Sequence, residues 1–314
     1  MVRVIEGPAA ERPGVSRQTL AALAPGALPG AAPAVSRRRR LVLPKGPAAS
    51  IGLGLIGLVV VLAIFAPLVA PHDPNAQDVT RRLIPPFTSG SSFILGTDHV
   101  GRDVLSRIIF GTRVALVVGL AAVALSGAIG VTLGLVSGFY GGLIDDLIGW
   151  VGSVELAFPF ILLAIAVVAI LGPGLFNLIM VLSIVSWVVY ARIVRAEVLV
   201  QREQEYVQAA RVLGAGDVRL IARHILPNVL TPVIVIATFE VARMIISEAS
   251  LSFLSLGVEP SIPSWGSMLA DGRQYLATAW WIATFPGLGI MLTVLAINLV
   301  GDWLRDALDP RLRT

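Results

Sequence analysis

The stretch Ile51–Ala70, IGLGLIGLVVVLAIFAPLVA, decides the fold class because it contains twenty consecutive residues without a charge. At 1.5 Å per residue it forms a helix about 30 Å long, which matches the hydrocarbon thickness of a bilayer. A cleaved signal peptide is the alternative, but the tail before this stretch is about fifty residues long, and no small residue stands at the third position before a cut after Ala70. We therefore predict a transmembrane helix.

The composition of the whole chain agrees with this prediction. Hydrophobic residues make up 56% of the 314 residues and charged residues only 14%, and the mean hydropathy is +0.84. These values lie outside the usual range of soluble domains. There is no cysteine, which excludes disulfides and thiolate metal sites. The basic residues flank apolar segments instead of forming a patch, so nucleic acid is not an expected partner.

Five further apolar segments predict an all-α membrane protein with about six transmembrane helices. They cover approximately residues 114–138, 147–171, 175–191, 229–247 and 280–301. An even number of spans places both termini on one side of the membrane. With the termini inside, the inner segments carry 17 basic residues and the outer loops carry 6. Because Lys and Arg concentrate on the cytoplasmic side, we predict that both termini are cytoplasmic and that the protein lies in the cytoplasmic (inner) membrane.

Two domains are predicted. Residues 1–48 contain Arg37–Arg40, Lys45 and many Ala, Pro and Gly residues without periodicity, which predicts a disordered basic cytoplasmic tail able to contact anionic lipid. Residues 49–314 form the transmembrane domain. Its longest inner loop lies at about residues 199–228.

That inner loop reads as a helix, a turn and a second helix. Tyr206, Ala209, Ala210 and Leu213 recur at helical spacing and predict one apolar face with small residues at its centre. The Gly214-Ala215-Gly216 run ends this helix, Asp217 is a predicted N-cap of the next, and Pro227 marks a predicted turn into the fifth span. A helix lying on lipid is one interpretation; the small residues favour close approach to another protein.

The loop resembles the EAA loop of ABC importer permeases, whose pattern is Glu-Ala-Ala, three residues, Gly, nine residues, Ile, one residue, Leu-Pro. This sequence has Gln208-Ala209-Ala210, three residues, Gly214, nine residues, and then His224-Ile225-Leu226-Pro227. The spacing is intact, and two positions depart from the pattern. Gln208 replaces the glutamate, and His224 stands where the isoleucine is expected.

The resemblance implies the type I importer permease fold and a loop that acts as a coupling helix docked on a cytoplasmic ATPase. It assigns ATPase contact to Glu205, Tyr206, Gln208, Ala209, Ala210, Arg211, Gly214 and Asp217. Because Lys45, the single lysine, is not part of a phosphate-binding loop, ATP and magnesium are expected in partner subunits. This chain is then a non-catalytic subunit that binds no cofactor or metal itself.

Three further motifs resemble the C-type permease subunit of dipeptide, oligopeptide and nickel importers, and with the loop they extend the resemblance to about residues 50–314. They lie in the segments 95–113, 251–269 and 301–311. The resemblance implies a di- or oligopeptide importer that works by alternating access. Its implied partners are a second homologous permease in a heterodimer, two ATPase subunits or domains and an extracytoplasmic binding protein. A nickel or other small-solute importer is the alternative within the family.

Charged residues near and inside the spans are the other candidate sites. Asp98, Arg102, Asp103 and Arg107 alternate in sign before the second span, and they predict either a solvated helix with an Asp103–Arg107 pair or a contact with the binding protein. A charge at the bilayer centre costs about 2.5 to 3.5 kcal/mol on insertion scales. Glu155, Glu240, Arg243 and Glu248 are therefore candidate pathway residues, although Glu240 and Arg243 are also spaced to pair with each other.

The tryptophans and histidines of the outer loops give two further predictions, and the sequence also bears on two alternative classes of protein. Trp265, Trp280 and Trp281 are predicted to anchor the outer interface, and no metal site is predicted at His72 or His99. A proton-driven secondary transporter would contain inverted repeats, and the sequence shows none. An intramembrane hydrolase is disfavoured because no His-Glu-x-x-His or Gly-x-Ser-x-Gly run occurs.

Overall fold

A computed structural model describes residues 46–308, and within this range it contains helices and loops but no strand. The predicted tail over residues 1–48 lies almost entirely outside the described residues, as do the last residues of the 301–311 motif. Ten helices of eight residues or more are described. They are α1 (Pro47–Ile64), α2 (Val104–Tyr140), α3 (Gly142–Leu156), α4 (Phe160–Leu171), α5 (Leu175–Ile184), α6 (Trp187–Arg202), α7 (Glu205–Val212), α8 (Leu226–Phe253), α9 (Trp265–Gly272) and α10 (Trp281–Leu308).

Five helical stretches are long and apolar enough to cross a membrane, and the pair α3 and α4 forms a sixth span if its two arms are counted together. This confirms the all-α membrane fold. The predicted third span is wrong as a single straight helix, because α3 and α4 are bent by 91° at a break of three residues. Pro159 in that break lacks an N–H and disfavours helical backbone in the residue before it, which explains the interruption.

The first span ends earlier than predicted, at Ile64, and a short helical turn Ala66–Val69 follows it. Pro67 in this turn has no N–H to donate to the carbonyl oxygen of Ala63. The guanidinium of Arg113 on α2 takes that place, because its Nε donates to the Ala63 oxygen and its Nη2 donates to the Ile64 oxygen at 3.1 Å. A cation at a helix C-terminus is favourable for the helix dipole.

The second span begins ten residues before its predicted start. Asp103 caps α2 by accepting a hydrogen bond from the Ser106 backbone N–H at 3.0 Å. At 1.5 Å per residue the 37 residues of α2 extend about 55 Å, so its outer turns lie beyond the hydrocarbon layer.

The predicted turn at Pro227 is also wrong. One continuous helical stretch runs from Asp217 to Phe253, and residues Leu220–Ile225 within it form a π-helical turn immediately before α8. Pro227, which has no N–H to donate, follows this π turn in the first turn of α8. Asp217 is the first residue of this stretch and not its N-cap, which is Gly216.

Helix α2 lies at the centre of the fold and packs along α6 and α8. Three glycines at intervals of four, Gly130, Gly134 and Gly138, face α6. A Cβ atom on Gly134 would lie 2.6 Å from the Ala191 carbonyl oxygen, so only glycine allows this approach. Small residues at helix interfaces serve this purpose in membrane proteins, where association depends on close packing.

Candidate coupling loop and membrane-embedded charges

The inner loop has the predicted helix, turn and helix. Its first helix, α7, ends at a Schellman motif: the N–H of Ala215 donates to the Ala210 oxygen and the N–H of Gly214 donates to the Arg211 oxygen, both at 3.0 Å. Gly214 has φ +83°, the left-handed region that glycine adopts without cost. The turn after α7 therefore has a defined geometry.

Core packing fixes α7 against the rest of the permease domain. Val207 is fully buried and belongs to an inner cluster with Val198 of α6 and with Leu220 and Ile225 of the π turn. The guanidinium of Arg211 lies 5.9 Å from the centre of the Phe139 ring on α2, a cation–π distance. Helix α7 is thus attached to three of the spans by side-chain packing.

Polar contacts attach the same helix at both of its flanks. The hydroxyl of Tyr206 donates to Gln201 Oε1 at 2.7 Å and accepts from Asn228 Nδ2 at 3.0 Å, which joins the end of α6 to the start of α8. Gln208 Nε2 donates to the Arg202 carbonyl oxygen at 2.9 Å, where α6 ends. The loop is consequently held as one unit with α6.

The exposed surface of the loop differs from the predicted apolar face. Ala210 is partly buried against the inner cluster, and Tyr206 uses its hydroxyl within the chain, whereas Leu213 and Ala209 are exposed as predicted. The most exposed apolar residues are Val212 and Leu213, each 87% exposed, and Val218, 78% exposed. We name these three the loop tip. Sequence periodicity missed Val212 and Val218 because neither lies on the predicted stripe.

The remaining predicted contact residues, Glu205 and Asp217, are exposed and begin helical segments. Carboxylates there complement the positive end of a helix dipole. All eight predicted contact residues therefore lie in one continuous region, although Tyr206, Gln208, Ala210 and Arg211 also hold α7 to its own chain.

Breaks in two spans lie close together. One separates α3 from α4, and the other, at Val185 and Ser186, separates α5 from α6. Glu155, just before the first break, accepts a hydrogen bond from Trp187 Nε1, just after the second, at 2.7 Å. At the other end of α3, Asp145 forms a bidentate ion pair with Arg195 of α6. Helix α3 is therefore joined to α6 at both ends.

The charges predicted inside the fifth span lie beside the same breaks. Arg243 forms hydrogen bonds with both carboxylate oxygens of Glu240, the shortest at 2.6 Å, and its Nη2 donates to Ser186 Oγ at 3.1 Å. The two residues thus pair with each other, as their spacing indicated. The Arg243 side chain is nevertheless 42% exposed, whereas that of Glu240 is 10% exposed.

Glu248 has a different environment. It is 1% exposed and accepts a hydrogen bond from Ser252 Oγ at 2.7 Å. Of the four predicted pathway residues, Glu155 and the Glu240–Arg243 pair lie at the helix breaks, and Glu248 lies two turns further along α8, in the interior.

The outer charged residues form a buried network, and the prediction of a solvated helix is wrong. Asp98 accepts from Arg102 Nε at 2.6 Å, and Arg102 Nη2 donates to Asp271 of α9 at 3.0 Å. Arg107, 2% exposed, lies 3.9 Å from Asp98 and 3.8 Å from Asp271. Asp103 caps α2 and contacts His72, so the described part of the chain contains no Asp103–Arg107 ion pair.

Two of the three tryptophans predicted at the outer interface are also buried. Trp265 Nε1 donates to the Ile108 oxygen and Trp281 Nε1 donates to the Thr97 oxygen, whereas Trp280 is half exposed. The sequence could not distinguish them, because tryptophan suits both an interface and a core that offers its N–H an acceptor.

The outer network also contains a group of possible metal ligands. Ligand atoms of Asp98, His99 and Asp271 lie within 4.8 Å of one another. Arg102 and Arg107 already contact both carboxylates, and their positive charge disfavours a cation at the same place. We assign no metal to this group.

The amino-acid sequence matches the models of two known protein families. Residues 130–314 match the binding-protein-dependent transport system inner membrane component, and residues 41–86 match the N-terminal transmembrane domain of oligopeptide transport permease C. The first match covers more than half of the chain. This protein belongs to that family of inner membrane permeases.

Several relatives of this permease are named for peptide transport. The di/tripeptide transport system permease protein DppC of Pseudomonas aeruginosa is 48% identical over 265 residues, which is 83% of this chain and 88% of the relative. The dipeptide transport permease DppC of Haemophilus influenzae is 45% identical, over 84% of this chain and 91% of the relative. The glutathione transport permease GsiD of Pectobacterium atrosepticum is 44% identical, over 82% and 85%.

A solved structure supports the fold of this permease. An inward-facing form of the MetNI methionine ABC transporter matches with a TM-score of 0.53 and 18% identity, over 65% of this chain and 96% of that one. At this identity the similarity concerns the fold alone, which is that of an ABC importer permease.

The two departures of this permease from the EAA pattern have a local explanation. Gln208 donates its side-chain N–H to a carbonyl oxygen, which an ionised glutamate cannot do. Ile225, one position after the expected isoleucine, is fully buried in the inner cluster, and the preceding His224 lies in the π turn with its carbonyl bound by Asn228. The apolar anchor is therefore present one residue later.

Proposed function

We propose that this permease is one of two membrane subunits of an ATP-driven importer of di- and oligopeptides. The observation that carries the proposal is the rigid inner loop, whose tip exposes three apolar side chains while the rest of the loop is packed and hydrogen-bonded. Exposed apolar groups on a defined scaffold suit docking into a groove of another protein. The peptide transport named for the relatives supports the substrate class. A nickel or other small-solute importer is the alternative.

The proposed partners extend what the family implies in general. They are a second, different permease subunit, two ATPase subunits or domains that hold ATP and magnesium, and an external binding protein that delivers the peptide. Of the four outer residues proposed to contact that binding protein, Asp98, Asp103 and Arg107 are buried and Arg102 is the least enclosed. Direct contact is therefore proposed for Arg102, with the others holding its loop.

In the proposed mechanism the loop moves with the inner half of the domain. Helix α7 is attached to α6, and α6 is joined at two points to α3. Helix α3 ends at the first break and α6 begins at the second, and these two breaks lie together near the Glu240–Arg243 pair. Closure of the ATPases is proposed to rotate α3, α6 and α7 as one body about these breaks, which reorients the pathway between outer and inner openings.

Replacing Leu213 by aspartate is expected to separate ATP hydrolysis from transport. The Leu213 side chain is 87% exposed, so the permease fold is unaffected, but a charge at the loop tip is expected to remove about 2 kcal/mol or more of docking free energy. The measurement is ATP-dependent uptake of labelled di- and oligopeptides into proteoliposomes that contain this chain and its co-purifying subunits. Gly214→Asp, which adds a charge beside Leu213, is expected to act in the same direction.

The matched control is Val79→Asp, since Val79 is also apolar and 69% exposed but lies in the outer loop. Uptake by this variant is expected to equal that of the wild type. Equal uptake by Leu213→Asp and the wild type would contradict the docking role. Peptide uptake that needs no ATPase subunit would contradict the proposed function and favour a secondary transporter.

Neutralising the intramembrane pair is expected to reduce peptide uptake at normal protein levels. Arg243→Gln leaves the carboxylate of Glu240 without its ion-pair partner, while Glu240→Gln frees the guanidinium. If the pair lines the pathway, each variant changes the KM for peptides, and the two changes differ because the remaining charge differs in sign. Uptake kinetics with a normalised amount of complex test this. Unchanged kinetics in both variants would show that the pair is only structural.

A further inference from the structure

The inner side of the domain contains a cleft that the coupling loop and the intramembrane pair do not use. It has a volume of about 570 Å³ and lies between α6, α8 and α10. Val235 and Phe239 of α8 contribute to its apolar wall, and Glu197 of α6 and Arg305 of α10 are its charged lining residues. Its volume is within the range of small-molecule binding sites.

The two charges of this cleft lack partners. Glu197 is partly buried, and within residues 46–308 neither Glu197 nor Arg305 has an ion pair or a side-chain hydrogen bond. Two other charges of α6 do have partners, because Arg195 pairs with Asp145 and Arg202 donates to the Gly138 oxygen at 3.0 Å. Burying an unpaired charge is unfavourable. Glu197 is partly buried and Arg305 is exposed, so both side chains are available to a ligand in the cleft.

Opposite charges on an apolar cleft suit a ligand that carries both an ammonium and a carboxylate. We propose that this cleft binds unblocked peptides on the inner side of the membrane, with the peptide ammonium at Glu197 and the peptide carboxylate at Arg305. These two groups are common to all unblocked peptides, and the apolar wall accepts side chains of different shape. The inference rests on the proposed function and adds a site and a recognition rule to it.

The position of the cleft agrees with a place on the exit route. Helix α8 runs from the inner to the outer side, and Val235 lies eight residues before Arg243. The lining on α8 runs from Thr231 to Phe239. At 1.5 Å per residue it extends along the helix from about 18 Å to about 6 Å on the inner side of Arg243. A peptide released at the pair would meet the cleft before it reaches the cytoplasm.

The test is photolabelling of the intact transporter, purified with its partner subunits in nanodiscs without nucleotide. The probe is an alanyl-photoleucine dipeptide, and mass spectrometry measures its attachment to residues 231–239. Wild type is expected to be labelled, and Glu197→Gln and Arg305→Gln are each expected to be labelled about tenfold less, equivalent to about 1.4 kcal/mol of affinity. Glu203→Gln and Asp306→Asn, which remove exposed charges outside the cleft lining, are expected to match wild type.

Blocked probes test whether Glu197 binds the peptide ammonium and Arg305 binds the peptide carboxylate, and on the wild type this test does not depend on how well the variants fold. On wild type, N-acetylation or C-terminal amidation of the probe is expected to reduce labelling about tenfold. The acetylated probe is expected to label Glu197→Gln no less than wild type, and the amidated probe is expected to do the same with Arg305→Gln. Equal labelling of the wild type by free and blocked probes would overturn the proposal. Equal labelling of the wild type, Glu197→Gln and Arg305→Gln by the free probe would also overturn it.

The same preparation distinguishes failure of the proposed cleft site from failure of the proposed function. ATP-driven peptide uptake together with labelling that is independent of charge would refute the cleft site and leave the proposed function in place. Absence of peptide uptake with all subunits present, together with ATP-driven uptake of another solute, would refute the proposed function and with it the peptide site.

Discussion

Asp98→Ala is expected to prevent accumulation of folded permease, because it removes the centre of the buried outer network. Asp98 is 2% exposed and accepts hydrogen bonds from the backbone N–H groups of Val100 and Arg102, both at 2.9 Å, and from the Arg102 side chain. Its loss leaves Arg107 buried with Asp271 as its remaining described partner. Removing one partner of a buried ion pair costs about 3 to 5 kcal/mol. Thermal unfolding in detergent and the yield from membranes measure the effect.

Asp78→Ala is the matched control for this prediction. Asp78 also accepts a hydrogen bond from a backbone N–H, that of Thr80 at 3.0 Å, and it forms an ion pair with Arg81 at 3.3 Å. In contrast to the outer network, the side chains of Asp78 and Arg81 are 44% and 59% exposed. Exposed pairs contribute little to stability, so this variant is expected to behave as wild type. Equal losses of stability in the two variants would show that burial of the outer network does not matter.

Gly134→Ala is expected to destabilise the permease, and Gly127→Ala on the same helix is not. A Cβ at position 134 would lie 2.6 Å from the Ala191 oxygen and 2.7 Å from Val194 Cβ, whereas one at position 127 would meet only ring carbons of Tyr190 at 3.8 Å. Overpacking costs about 1 to 3 kcal/mol, while alanine in an open helical position gains about 0.5 to 1 kcal/mol over glycine. The two substitutions should therefore shift the Tm in opposite directions.

The comparison uses the purified complex, with the Tm followed by tryptophan fluorescence. A decrease for both variants would indicate that helix flexibility, and not the distance between α2 and α6, sets the requirement for glycine. No decrease for Gly134→Ala would show that α6 can move away without loss of stability.

Hydropathy predicts the existence of the spans, but it misplaces the end of a span where charged residues are buried. Hydropathy predicts that α2 starts at Val114 because it assigns Asp103, Arg107 and Arg113 to water. In the structure Asp103 and Arg107 are buried, and His72, Asp98 and Asp271 are their partners. The bend between α3 and α4 was missed for a different reason. Pro159 is visible in the sequence, but a proline can kink a span slightly or break it, and hydropathy does not distinguish these two outcomes.

Motif spacing predicts the helix, turn and helix of the inner loop, but sequence predicts its exposed surface only in part. Periodicity identifies which residues share a face of α7, but it cannot tell which face the chain itself covers. Val207 occupies the covered face although it lies outside the predicted stripe. Val212 and Val218 also lie outside that stripe, but no other part of the described chain covers them. The cleft at Glu197 and Arg305 had no sequence signal, because these residues are 108 positions apart and meet only through helix packing.

The outer network also sets an order for biogenesis. Arg102 and Asp271 are 169 residues apart in the chain, so their contact can form only after the ribosome has made α9 and the fifth span has carried it across the membrane. Until then Asp98 is the one acidic partner of Arg102 and Arg107, among the described residues, that has been made and placed on the outer side. A nascent chain that inserts the fifth span in the wrong direction leaves Asp271 in the cytoplasm, on the opposite side of the membrane from Arg102 and Arg107. Correct insertion of the fifth span is therefore a condition for closing the network.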